Sequence, residues 1–559
     1  MKKHLLLASL LIGSTIAFAQ NFVWAKSLGG TSSDVITSIT VDASGNVYTT
    51  GKFDGTADFD PGIGTFTLTS VGTSDIFVSK LDVNGNFVWA KQFGGTYNEV
   101  ANVIKVDASG NVFLAGSFSD PVDFDPGAGT LILDSPSGFD IFVSKWDTDG
   151  NFIWVKQMGG VGNQTGIDMT MDTTGNIYTT GYFAGTPDFD PGASTYTLSA
   201  IGTNDVYVSK LDVNGDFVWV KSIGSASTSN LNSNSIELDA SGNVYTSGYF
   251  NGTLDFDPGA TTYTLTSFSS VDIFVSKLDA SGNFIWAKQI GGSGTDTPTS
   301  MVTDTVGNIY LTGANTGTID FDPSAATYTL SPIGTYDIFV SKLDSSGNFV
   351  FAKTFGGGTG YPESGDITLD ATGNIYTTGY IDGTVDFDPG VGTMSISLIG
   401  TYDAFISKLD AMGNFVWAKT IGGSAANAFG SRVTIDASGN IYTSGAYSST
   451  IDFDPSTGVS DLTAQGNNDV FVLKLSPSPV GIAETTNEFI SMLFPNPTDK
   501  ELNIRTNETI ETISIFNLLG ERILIETKNN FSIESLPMGM YIVKIKTNKG
   551  SGTTRFIKN

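Results

Sequence analysis

Short runs of alternating apolar and polar residues follow one another along most of the chain. Ile39 to Val41 and Val47 to Phe53 alternate and are rich in β-branched or aromatic residues, as are Ile76 to Leu81 and Phe87 to Lys91. A period of two marks strands with one face turned to a core. Between the runs lie Asp-Ala-Ser-Gly-Asn (42–46) and Asp-Val-Asn-Gly-Asn (82–86). Glycine in the fourth place supplies the positive φ of a short hairpin turn, and the aspartate can bond back to the backbone. The pattern predicts modules of four antiparallel strands, named a, b, c and d in chain order from Ile39.

The modules recur with a fixed period. Asp-Phe-Asp-Pro begins at Asp58, Asp123, Asp188, Asp255, Asp320, Asp386 and Asp452, at spacings of 65, 65, 67, 65, 66 and 66 residues. Four-stranded modules in tandem predict β-propeller blades. The ends of the array carry more. Seven d strands are marked by Trp24, Trp89, Trp154, Trp219, Trp286, Phe351 and Trp417. The first of them precedes the first a strand, and the last c strand, Asp469–Leu475, has no d strand after it. An open array would leave that module with a bare edge. The expectation is an all-β chain: a seven-bladed β-propeller at 20–476, seven repeats of about 65 residues, closed by the N-terminal strand Phe22–Lys26. A linker at 477–488 leads to a small Ig-like β-sandwich at 489–559.

Composition narrows the chemistry. Residues 1–19 read as an export signal: a basic start at Lys2, Lys3 and His4, an apolar run from Leu5 to Phe18, and a small-x-small site that predicts cleavage between Ala19 and Gln20. No other run reaches the length of a membrane-crossing helix. The chain has no Cys, and its one His lies in that signal. Catalysis by Ser-His-Asp, thiolate or imidazole is excluded from the mature chain, and zinc or copper sites are disfavoured. An enzyme here would be of the carboxylate type. Residues 21–479 hold 45 Asp and 3 Glu against 17 Lys plus Arg, a net charge of −31, whereas residues 480–559 hold nine acids and nine bases. The acidic part repels nucleic acid and anionic membranes.

Two faces are predicted. One holds tight Asp-x-x-Gly-Asn/Asp turns. The other holds every Asp-Phe-Asp-Pro and the d–a loops, which vary most between modules, so a ligand is expected there. The acids Glu99, Asp296, Glu363 and Asp34 are its candidates for ligand contact or catalysis. Alternation puts the two aspartates of each Asp-Phe-Asp-Pro on one side and the phenylalanine on the other. Pro61-Gly62 fits the centre of a type II turn. Each aspartate pair, Asp58/Asp60, Asp123/Asp125, Asp188/Asp190, Asp255/Asp257, Asp320/Asp322, Asp386/Asp388 and Asp452/Asp454, either caps its turn or helps to hold a Ca²⁺ ion.

"VDASGNVYTTG" and "DIFVSKLDVNGNFVWAK" resemble the SBBP-type β-propeller repeats of bacterial surface and secreted proteins, over about residues 21–476. The tail resembles the type A C-terminal sorting domain of the type IX secretion system. The matching residues are Pro495-Asn496-Pro497, Leu502, Ile504, Asn517 to Gly520, Leu536, Gly539, Tyr541 and the closing Arg555-Phe556-Ile557-Lys558. This resemblance implies export, recognition of the tail by the type IX machinery, and its removal by a sortase-like surface peptidase. The product would stay at the cell surface or be released. The function expected is a surface-attached or released module that binds or adheres to glycan or protein. A carboxylate-type glycan-active enzyme and a structural surface component without a small ligand are the alternatives.

Overall fold

The computed structural model describes residues 20–477 except 98, 136, 227–230 and 358–359, and residues 492–559 except 507, 518–521 and 548–549. The predicted export signal with Ala19, the linker beyond Pro477, and Gly520 lie outside the described residues. The chain divides into two compact units, Met1–Pro477 and Ser478–Asn559. Among the described residues every regular element is a β-strand, and no helix is long and apolar enough to cross a membrane.

In the first unit, strands Asp34–Val41, Val47–Phe53, Asp75–Leu81 and Phe87–Phe93 pair antiparallel in that order. The same order recurs from a strands at Val100–Val106, Gln164–Met171, Leu231–Leu238, Asp296–Thr303, Glu363–Leu369 and Ala428–Ile435. The a strands start earlier than alternation alone predicts, at Asp34 and not Ile39. The cause is a β-bulge between Ile36 and Ser38, repeated in every module, which breaks the period of two. In the last sheet, Ile441–Tyr447 and Asp469–Pro477 take Gln20–Gly30 as their outer strand, with Phe22 opposite Leu475 and Leu28 opposite Val470. Each a strand packs against the next, and Ala428–Ile435 packs against Asp34–Val41.

Side chains between the sheets repeat this arrangement. Lys80 Nζ and Trp89 Nε1 both donate to the carbonyl of Thr148 in the c–d turn of the following sheet, at 3.0 and 3.2 Å. Lys474 Nζ and Trp24 Nε1 donate in the same way to Val83, at 3.1 and 3.3 Å. Trp24 therefore does for the last sheet what Trp89 does for the first, although 391 residues separate Lys474 from Val83. In all seven sheets the c-strand lysine lies over the b-strand ring, as Lys80 does over Tyr48 at 4.9 Å. Such cation–π contacts contribute on the order of 0.5–2 kcal/mol each.

The second unit has two sheets. One pairs Met492–Phe494, Glu501–Arg505 and Asn530–Ser532; the other orders Arg522–Glu526, Ile510–Phe516, Gly539–Thr547 and Gly550–Lys558. Leu502, Ile504, Ile513, Ile515, Val543 and Phe556 form one core between them.

Candidate functional site

The Asp-Phe-Asp-Pro segments form hairpins whose geometry is set by their carboxylates. Asp58 Oδ1 accepts the amides of Asp60 and Phe66 at 3.0 and 2.8 Å, and Asp60 Oδ1 accepts that of Gly62 at 2.8 Å. In the other six copies the first aspartates, Asp123, Asp188, Asp255, Asp320, Asp386 and Asp452, each accept the same two amides. The second aspartates, Asp125, Asp190, Asp257, Asp322, Asp388 and Asp454, each accept the amide two residues on, at 2.8 or 2.9 Å.

Of the two readings of the pairs Asp58/Asp60, Asp123/Asp125, Asp188/Asp190, Asp255/Asp257, Asp320/Asp322, Asp386/Asp388 and Asp452/Asp454, turn capping accounts for the amide bonds at Oδ1. Among the described residues no three Asp, Glu, His or Cys side chains converge as a metal site. One expectation for this motif is corrected: the type II turn at Pro61-Gly62 is not formed. Gly62 is absent from the positive-φ glycines, and Ser324 and Ser456 stand at the equivalent place. The aspartate–amide bond closes the turn, so no left-handed residue is required.

The central phenylalanine is buried each time and meets a c-strand ring, as Phe59 meets Phe77 at 4.9 Å. The hairpin also reaches back: Asp58 bridges Gly29, and each later copy bridges the preceding d strand in the same way. The motif repeats because every junction between sheets needs this clamp.

The four acids singled out in the variable loops part company. Asp34 and Asp296 open their a strands, Glu99 stands just before its own, and all three are buried, at 1%, 0% and 0% exposure. They cannot touch a ligand on the face. Glu363 is exposed and opens its own a strand near the axis.

Around that axis the seven a strands enclose a polar cavity of about 270 Å³. The position just after each bulge faces it: Ser38, Val103, Asp168, Ser235, Ser300, Asp366 and Arg432. Lys105 and Glu237 add charges two residues further along their strands. Asp366 is tied down by Ser300 Oγ at 2.7 Å and by the amide of Val433 at 3.0 Å. Three acids thus face two bases. Burial, then the charges of Asp168 and Asp366, push Glu237 up to about 7 against the pull of Lys105. The carboxylates hold Lys105 above its ordinary value although burial alone would lower it.

At one end the cavity opens into a pocket of about 330 Å³ lined by Asn234, Thr299, Glu363, Tyr380, Phe429 and Arg432, among others. Tyr380 is paired opposite Glu363 across the a and b strands, and burial and Glu363 both raise its hydroxyl pKa. Tyr380 stands edge-on to Phe429 at 5.1 Å and to Tyr402 at 5.6 Å. Tyr336 and Tyr361 pack together at 4.9 Å on the adjoining loops. The pair Glu363–Tyr380 has the counterparts Val35–Lys52, Val100–Ser117, Thr165–Tyr182, Asn232–Tyr249, Thr297–Ala314 and Phe429–Ala446. No other sheet places an acid there. Of these residues only Glu363 was a candidate from sequence. Tyr380, Tyr402, Phe429 and Arg432 were missed, and their signal was departure from the repeat.

In the second unit, Pro495-Asn496-Pro497 is exposed. Asn496 Oδ1 accepts the amide of Ile557 at 2.9 Å and its Nδ2 donates to Arg555 O at 3.1 Å. Tyr541 stacks on Phe556 at 5.4 Å and donates its hydroxyl to Pro537 O at 2.6 Å. Gly539 and Lys558 lie opposite each other in the last strand pair. The motif residues so far apart in sequence gather along the closing strand.

Residues 492–559 match the family model of the secretion system C-terminal sorting domain, and residues 23–59, 153–182 and 285–317 match that of the beta-propeller repeat called SBBP. The chain joins β-propeller repeats to a type IX sorting domain. That domain marks a secreted or cell-surface protein and a client of the type IX machinery. Two curated relatives are each 24% identical: an uncharacterized WD repeat-containing protein, L264, of Acanthamoeba polyphaga mimivirus, over 71% of this chain, and the regulatory protein FlaEY of Caulobacter vibrioides, over 91%. The chain spans 34% and 51% of their lengths. Among solved structures, Sqt1 from Chaetomium thermophilum aligns with 83% of this chain and 100% of its own, at 10% identity and a TM-score of 0.36. The extracellular domain of the putative one component system BT4673 from B. thetaiotaomicron aligns with 98% and 100%, at 9% identity and a TM-score of 0.17. At these scores the fold rests on the strand pairing described above.

Proposed function

We propose that this is a seven-bladed β-propeller, closed by its N-terminal strand and followed by an Ig-like sorting domain, which binds glycan at the mouth of its axial cavity after export. The carrying observation is the pocket at Glu363, Tyr380, Phe429 and Arg432, which interrupts an otherwise regular ring. Aromatic faces beside a few convergent polar groups suit a sugar ring, which offers both C–H faces and hydroxyls. The reading is of binding and not hydrolysis: of the four acids considered for catalysis only Glu363 reaches solvent, and glycosidases pair two carboxyl groups across one bond. The sorting domain takes the propeller to the cell surface or the medium, where such ligands are met.

The test is a glycan array with the mature chain, residues 20–559, beside Tyr380→Ala and Glu363→Gln. Binding without turnover, lost in both variants at unchanged melting temperature, is the expected result. Equal binding by Tyr380→Ala moves the site elsewhere. Release of reducing sugar that Glu363→Gln abolishes replaces the binding module by an enzyme.

A further inference from the structure

The acids that do not reach solvent raise a question of their own. Each c strand opens with a buried or nearly buried aspartate: Asp75, Asp140, Asp205, Asp272, Asp337, Asp403 and Asp469. Each packs against the first glycine at the end of the d strand. A Cβ at Gly291 would meet the Asp272 carboxyl carbon at 2.3 Å, and one at Gly94 would meet that of Asp75 at 2.5 Å. Five of these aspartates, Asp75, Asp140, Asp205, Asp337 and Asp403, have no unpaired buried oxygen among the described residues, and in the junctions of the last four Gln164, Leu231, Pro362 and Ala428 hold the place of a second acid. Asp205, for example, accepts the amides of Ile201 and Gly202 at 2.9 and 3.2 Å.

The other three junctions hold a second carboxyl group: Asp34 beside Asp469, Glu99 beside Asp75, and Asp296 beside Asp272. A Cβ at Gly29 would lie 2.7 Å from Asp469 Cγ and 2.8 Å from Asp34 Oδ2, so the two groups converge on one point. Unpaired buried carboxyl oxygens in the first unit occur only here: Asp34 Oδ1, Asp469 Oδ1, both oxygens of Glu99, Asp272 Oδ1 and Asp296 Oδ1, among the described residues. The remaining oxygens are bonded. Asp34 Oδ2 accepts Gly30 N at 2.8 Å, Asp296 Oδ2 accepts Gly292 N at 3.1 Å, and Gln92 and Gln289 donate to Asp75 and Asp272. The charged groups that face these pairs are again acids, Asp54 at Asp34 and Asp120 at Glu99; Asp469 has only the hydroxyl of Ser27 and loop amides. Among the described residues no cation balances them.

A buried carboxylate beside another leaves both charge and acceptor unmatched. One hydrogen placed between them removes a charge and adds a donor: it lies between two orphan oxygens at Asp34/Asp469 and at Asp296/Asp272, and at Glu99, which carries both orphans of its junction, it is donated toward Asp75. We propose that each of these three junctions shares a single proton between its two carboxyl groups at neutral pH. A hard cation would need six or more oxygen ligands, and two carboxyl groups in a closed space do not supply them. Burial first, and the neighbouring acid with it, push Asp34, Glu99 and Asp296 up to about 7. The pair titrates as a unit. Because these values lie above those of the unfolded chain, the stabilisation is full below the ordinary carboxylate range and is lost as pH rises through about 7.

The test is the melting temperature of the mature chain from about pH 5 to about pH 8.5. It should fall steadily across that range. The triple variant Asp34→Asn, Glu99→Gln, Asp296→Asn carries a permanent hydrogen at each junction and should lose most of this slope. Gln164→Glu makes a fourth pair and should steepen it, which keeps the idea testable if the triple variant does not fold. Glu237→Gln controls for the axial cavity and should leave most of the slope in place. A flat profile for the unaltered chain, or an equal slope in the triple variant, overturns the proposal. So does a rise at pH 8 with millimolar calcium that chelator reverses and the triple variant does not show, which would put a metal ion where the proton is placed.

Discussion

At the tight-turn end of the sheets the aspartates accept hydrogen bonds from their own turns, whereas at the loop end the junction aspartates are enclosed and, in three junctions, face a second acid. Asp42 Oδ1 accepts the amides of Ser44 and Asn46, both at 2.9 Å, and Oδ2 accepts the Asn46 side chain at 2.7 Å. Burial works against ionisation of Asp370, but bonds from Thr372 and Asn374 outweigh it and hold that carboxyl down at about 2. Burial wins at Asp34, Glu99 and Asp296. The same residue type thus favours the charged form at one end of a sheet and the protonated form at the other. What differs is the number of donors within reach, not the acid itself.

The largest expected effect comes from removing what both ends depend on. Deleting Gln20–Gly30 strips the outer strand from Asp469–Pro477 and takes away the Trp24–Val83 bond between the last sheet and the first. The cooperative melt of the first unit should be lost, as read by calorimetry; an unchanged transition would show that this strand closes nothing. At the loop end, Phe256→Ala removes a fully buried ring that packs on Phe250 and Phe274. It should cost about 3–5 kcal/mol in denaturant unfolding. A loss below about 1 kcal/mol, the scale of a single surface change, would mean that the hairpins are ornaments on the sheets and not clamps between them.

At the tight-turn end, two aspartates separate burial from capping. Asp239 accepts Asn243 and Tyr245 and lies 3.4 Å from Lys277, with both side chains under 10% exposed. Asp239→Ala leaves that lysine without its counter-charge, with only Ser345 O and the Tyr245 ring for partners, and should cost about 3 kcal/mol. Asp279 makes the same turn bonds in the open, and Asp279→Ala should cost about 1 kcal/mol. Equal losses would show that the lysine pair adds nothing to the turn.

Acid supplies the finest test. The turn carboxyls are depressed, so their stabilisation is present above the ordinary carboxylate range and is lost as pH falls through their folded values; the junction pairs lose theirs as pH rises. Stability should therefore peak in mild acid, near pH 5, and decline on both sides, with the acid limb weakened in Asp370→Asn. Calcium should have the smallest effect of all, because the paired aspartates of the hairpins are already engaged by amides. A melt raised by millimolar calcium, and not raised in Asp58→Asn, would return the ion to that motif.

The sequence by itself determined the order and number of the strands and the tight turns that join them. Alternation, the glycine of each tight turn and the 65-residue period are local signals, set by side-chain direction and backbone sterics that act within a few residues. All thirteen glycines of the a–b and c–d turns, such as Gly45 and Gly85, take positive φ, and the strand beside Val470–Leu475 is Phe22–Lys26, as counting the strands required. The a strands were legible only in their second halves, because the bulge hides their first. The junction acids and the pocket were not legible as such. Glu99, Asp296 and Glu363 all lie in variable loops or at their ends, and nothing local says that two are enclosed and one is open. Tyr380 and Phe429 alternate like any strand residue. Only packing seven sheets about an axis decides which side chains are shut between neighbours and which meet at the axis, because burial depends on what the next sheet brings against them.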